Sequence, residues 1–161
     1  MQAVVSPFAV LSALVAPAIL TNASSLLALG TSNRVARVVD RTRVVAKELA
    51  AMEPGGPHYA SWTSQLERLQ VRAQLLVKAL RLFYMSLGLF AASALVAVLG
   101  SVITYYNQHT LANIAAACGL LAGATAVLGL GWGCALMVSE TRLAVQNLAE
   151  EAQIQNCRPS K

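Results

Sequence analysis

Residues 82–139 read LFYMSLGLFAASALVAVLGSVITYYNQHTLANIAAACGLLAGATAVLGLGWGCALMVS, and no Asp, Glu, Lys or Arg interrupts them. A helix crossing the roughly 30 Å hydrocarbon layer uses about 20 apolar residues. This stretch is too long for one crossing and fits two, Leu82 to Tyr106 and about Ala112 to Val138. Tyr105, Tyr106, Asn107, Gln108, His109 and Thr110 form its polar cluster, which reads as a tight turn at an interface.

A second uncharged stretch covers residues 1–33, and Phe8 to Gly30 supplies a third span. Its Leu, Ile, Val and Phe residues favour insertion by roughly 3–6 kcal/mol in total, enough to outweigh Pro17 and Asn22. It is the weakest of the three spans. No basic n-region precedes it, so it reads as a retained anchor and not as a cleaved signal peptide. Charged residues make up 12% of the 161 and apolar residues 57%. A soluble domain of this size cannot bury two such stretches in one core. A soluble enzyme and a nucleic-acid-binding module are thereby disfavoured, because the net charge of +5 belongs to a segment beside the membrane.

That segment runs from Arg34 to Arg81 and carries nine Lys and Arg against four acids. It is short enough to follow the positive-inside rule, and the turn at 105–110 has no Lys or Arg. The expected topology is N-terminus out, charged segment in, short turn out, C-terminus in. Arg142, Arg158 and Lys161 then lie on the same side as the charged segment.

The segment is also patterned. Val35, Val38, Thr42, Val45, Leu49 and Met52 recur at alternating spacings of three and four, as do Trp62, Leu66, Leu69, Ala73, Leu76, Leu80 and Phe83. These are heptad stripes, and Glu53-Pro54-Gly55-Gly56-Pro57 breaks the chain between them. The expected fold is all-α: a three-span integral membrane protein with a cytoplasmic antiparallel helical hairpin over 33–81 between spans one and two. The chain reads as one membrane domain, 1–161, with 139–161 as a cytoplasmic tail. Ser32 and Asn33 could cap a second helix after a break near Gly30, or the first helix could run straight through. A competing arrangement lays both hairpin helices flat on the inner leaflet. Pairing buries more apolar surface, and Asp40, Glu48 and Glu67 would be repelled by anionic lipid.

The blocks Ala16-Pro17-Ala18-Ile19-Leu20, Ser24-Ser25-Leu26-Leu27 and Ser32-Asn33-Arg34-Val35-Ala36-Arg37-Val38-Val39-Asp40-Arg41 together resemble a bacterial membrane-protein family known as domain of unknown function 2721. Arg68 to Leu80 and Ser139-Glu140-Thr141-Arg142-Leu143-Ala144 also look similar, so the resemblance covers about residues 10–144. It implies three spans in a bacterial inner membrane and implies no activity.

Among candidate sites the cluster Arg34, Arg37, Asp40, Arg41 and Arg43 is the most distinctive. Contact with anionic headgroups of the inner leaflet, worth about 1 kcal/mol per residue, is its simplest role. An anionic-ligand site or a protein partner are the alternatives. Glu140 and Arg142 directly follow the third span, and Glu140 is expected in an interfacial ion pair, with Arg34 or Arg37 as further partners. No Asp, Glu, Lys, Arg or His lies inside an expected span, which argues against a proton-coupled transporter.

Pro17, Thr21 and Ser25 lie on one stripe with Ser24 and Ala28, suited to packing against other helices or to lining a pore in an oligomer. Gly119 with Gly123, and Gly129 with Gly133, are small-residue pairs that let helices approach closely; Gly88 with Ala92 and Ser93 with Ala97 match them. A homo-oligomer could use the same surfaces. Cys118 and Cys134 read as small apolar residues and Cys157 as a reduced thiol. His58 and His109 fall on opposite sides of the membrane, so no metal site and no cofactor is expected. No motif pairs a nucleophile with a base. The expected function is a non-enzymatic scaffold or interaction protein acting through its basic hairpin. The alternative is a channel or transporter subunit lined by the Thr21/Ser25 stripe.

Overall fold

The computed structural model describes residues 7–56, 59–106 and 109–156. Three helices account for nearly all of them: α1 Pro7–Ala50, α2 Tyr59–Tyr105 and α3 His109–Asn156. Each is long and apolar enough to cross a membrane. The mean hydropathy reaches 1.2 within Val15–Ala50 of α1, 2.2 within α2 and 1.9 within Thr110–Val145 of α3. No strand occurs among the described residues.

The breaks fall where backbone chemistry requires them. After α1 the chain tightens through Ala51 N–H to the Glu48 carbonyl (3.1 Å) and Met52 N–H to the Leu49 carbonyl (3.2 Å). Pro54 then cannot donate a helical hydrogen bond, and Gly55 adopts φ 90°, a left-handed conformation that costs glycine little. No comparable break occurs at Gly30. Its backbone remains helical, and α1 runs straight through Ser32 and Asn33 with no cap. Pro17 sits inside α1 without ending it; membrane helices tolerate proline where neighbouring groups satisfy the freed carbonyl. Residues 139–156, read as a tail, continue α3. His58, Asn107, Gln108, Cys157, Arg158 and Lys161 lie outside the described residues.

Contacts divide the chain into two compact units, Met1–Leu29 with Arg81–Trp132, and Gly30–Leu80 with Gly133–Lys161. The first unit holds almost all of the uncharged sequence. Its buried residues are Ser24, Ala28, Phe83, Ser86, Phe90 and Ala126. Large apolar side chains, Ile19, Leu26, Leu95, Leu120, Leu128 and Trp132 among them, face outward, as lipid solvation permits. Helices α2 and α3 approach closely here. Ser93 Oγ donates to the Gly119 carbonyl at 2.8 Å. A Cβ on Gly119 would meet Val96 Cγ1 at 3.5 Å, one on Gly123 would meet Ser93 Oγ at 3.5 Å, and one on Gly129 would come within 2.9 Å of Ser86 Oγ. Gly88 faces open space.

Polar side chains of this unit mostly bond their own helix. Ser24 Oγ donates to the Leu20 carbonyl (2.8 Å), Ser25 Oγ to the Thr21 carbonyl (3.0 Å) and Thr125 Oγ1 to the Leu121 carbonyl (2.7 Å). Such back-bonding satisfies a hydroxyl where no water is at hand. A cleft of about 1040 Å³ beside Pro17, Leu20, Phe90 and Val96 is lined almost wholly by apolar and small side chains.

Candidate functional site

The second unit is built on the heptad stripes. Val38 and Val45 of α1 and Leu69 and Leu76 of α2 form one buried cluster, with Val35, Trp62, Leu66, Ala73 and Met137 packed against it. Residues three, four and seven apart share a helix face, so these positions line up toward each other while the intervening charges stay outside. Met137 belongs to α3, so the paired stripes are closed by a third helix. Thr31, buried, donates to its sulfur at 3.6 Å.

One turn beyond Met137 lies Glu140, 3% exposed. A buried carboxylate is costly unless it is paired and hydrogen-bonded. Arg72 of α2 provides this, with Nη2 at 2.8 Å and Nε at 2.9 Å, both on Oε1. Arg34 of α1 approaches the other oxygen, Nη1 to Oε2 at 3.7 Å, and donates from the same nitrogen to Thr141 Oγ1 at 3.3 Å. The Thr141 hydroxyl donates in turn to the Met137 carbonyl at 2.9 Å. One carboxylate therefore joins three helices.

The two bonds differ in weight. The Arg72 pair is short, doubly bonded and removed from water, with the arginine side chain 25% and the glutamate side chain 4% exposed. Arg34 is 49% exposed and its contact is long, so its pairing is worth no more than about 1 kcal/mol. Above the network opens a recess of about 270 Å³ lined by Arg34, Arg37, Val38, Arg72, Glu140, Thr141 and Ala144.

The expected site residues therefore separate. Arg34 and Glu140 come together. Arg142, two residues after Glu140, points away from its side of the helix and is exposed. Arg37 lines the recess and is exposed. Asp40 and Arg43 make a 3.7 Å pair, both about three-quarters exposed or more, so it contributes little. Arg41 is exposed. Of the packing residues, Gly119, Gly123 and Gly129 face α2, Gly133 is buried in the second unit, Pro17 and Thr21 are half-buried and Ser25 is exposed.

Arg72 is the residue that sequence reasoning counted but did not single out. It flanks the apolar stripe beside Ala73, in the same register that Arg41 holds between Val38 and Val45, so spacing alone does not mark it out from an exposed arginine. Among the described residues no three His, Cys, Asp or Glu side chains gather as metal ligands. Cys118 is exposed and Cys134 half-buried, and both are free thiols.

A family model described as Protein of unknown function (DUF2721) matches residues 14–150, which include all three helices in large part and every member of the Glu140 network. No curated protein and no solved structure gives a significant match.

Proposed function

The chain belongs to the DUF2721 family, and within it we propose that it is a non-enzymatic scaffold of a bacterial inner membrane. Its N-terminus lies outside, and the unit containing 30–80 and 133–145 lies on the cytoplasmic side, against the anionic inner leaflet. The observation that carries this reading is that the charged segment has a core of its own, Val38, Val45, Leu69 and Leu76, and is cross-braced by Glu140. A mere connector between spans needs neither. The outer surface of this unit displays Arg37, Arg41, Arg43, Lys47 and Lys78, all exposed. A protein partner or a second copy of the chain docks there by charge complementarity.

The channel alternative draws less support. Ser25 returns its hydrogen bond to its own helix, and the cleft of the first unit is lined by apolar groups. Reconstitution tests both readings. The scaffold reading expects liposomes bearing the pure protein to pass ions no faster than empty ones. It also expects a photo-crosslinker at Arg41 to give an adduct in cells. Ion flux that changes in Thr21→Val, or the absence of any adduct at Arg41, overturns it.

A further inference from the structure

Glu140 neutralises only part of the positive charge around it. Arg34, Arg37 and Arg72 line the same recess against this single carboxylate, which leaves an excess of two positive charges. Arg37 is exposed and has no ion pair among the described residues. Each guanidinium carries five N–H donors. Glu140 engages two of those on Arg72, and Arg34 directs one nitrogen at Glu140 and Thr141.

We propose that this recess is a binding site for a phosphate group. Several arginines converging on one pocket suit an anion whose charge is spread over several acceptor oxygens, and phosphate is the common group of that kind. Arg34 is the first charge after the uncharged residues 1–33 and Glu140 the first after 82–139, while on α2 Arg72 lies nine residues, about 13 Å of helix, before Arg81. The recess therefore opens on the charged side of the border, where a headgroup and a soluble phosphate can both reach it. Glu140 acts as a positioning residue: its buried carboxylate keeps Arg72 at the recess, where an unanchored arginine would extend into water. The phosphate comes either from a lipid headgroup or from a soluble phosphate. The site does not depend on the scaffold role.

The test uses the full-length protein in a maltoside detergent, which contains no phosphate. One arm titrates dioleoylphosphatidylglycerol and the other inorganic phosphate at matched ionic strength, with bound ligand read by native mass spectrometry and phosphorus NMR. Saturable binding in at least one arm is expected; lipid alone identifies a headgroup site, and inorganic phosphate identifies a soluble ligand. Arg37→Gln weakens that binding by about tenfold, the loss of one charge-assisted contact. Arg43→Gln removes equal charge outside the recess and leaves the affinity within about twofold. Glu140→Gln also weakens binding if the carboxylate positions Arg72, whereas simple charge attraction would strengthen it. Saturation in neither arm, or equal losses in Arg37→Gln and Arg43→Gln, overturns the site. Tighter binding in Glu140→Gln overturns the positioning role.

Discussion

Glu140 and Ser86 are two buried polar residues with opposite prospects. Glu140 is fully engaged, so removing its main partner leaves a charge in a place it cannot occupy alone. Arg72→Ala should cost about 3–5 kcal/mol in unfolding free energy, whereas Arg34→Ala should cost about 1 kcal/mol or less. Joint replacement by Arg72→Met and Glu140→Leu should recover much of the loss, since an apolar pair carries no desolvation penalty. Thermal unfolding of the three variants in detergent checks this order. Among the described residues Ser86 Oγ has no hydrogen-bond partner, so Ser86→Ala should leave stability unchanged or raise it slightly; a drop in midpoint would mean that the hydroxyl bonds something. At this scale the sequence was only half readable. Glu140 stands out as the first charge after a long uncharged run, but Arg72 is 68 residues away in the chain, and no local pattern announces their meeting.

The helices themselves were far more legible. Spacings of three and four marked Val38, Val45, Leu69 and Leu76, which form the buried cluster, and Val35, Trp62, Leu66 and Ala73, which pack against it. The Pro54-Gly55-Gly56 break ends α1 for the reasons its residues supply. Gly30 and residues 139–156 were harder to read. A single glycine costs a helix only about 1 kcal/mol, which neighbouring residues easily offset, so it need not mark an end. The segment after Ser139 was read by its polar composition as a tail without a stated conformation, and it continues α3 to Asn156, with Glu140 tied to Arg72. Two variants test packing at the element scale. Leu76→Ala empties a side chain that is 1% exposed and should cost about 2–5 kcal/mol. Gly129→Ala pushes a Cβ to 2.9 Å from Ser86 Oγ and should lower the unfolding midpoint, while adding Ser86→Ala should restore most of it. If the second change restores nothing, close approach at Gly129 is not set by that hydroxyl.

Across the whole molecule, the shortage of charge matters less than its placement. The uncharged stretches form spans whose exposed residues suit lipid, and the charged ones form a unit with its own core and a three-helix ion-pair network. Arg34 and Arg81 lie within a few residues of the boundaries at 29/30 and 80/81, whereas Glu140 lies seven residues beyond Gly133, so the charge map follows the division on two helices and lags it on the third. The Glu140–Arg34 contact of α3 was foreseen, but the packing of Met137 on the paired stripes was not, because heptad reading pairs stripes within one segment and cannot see a helix that arrives from the far end of the chain. Glu140 joins these three helical segments into one cooperative unit. Hydrogen exchange on the full-length protein and on Arg72→Ala, both in the same detergent, reports whether they open together. The single change in α2 should accelerate exchange in residues 34–49 of α1 and 133–145 of α3 as well as in 66–80. Acceleration confined to 66–80, with α1 and α3 exchanging as in the parent protein, would mean that the three segments open independently.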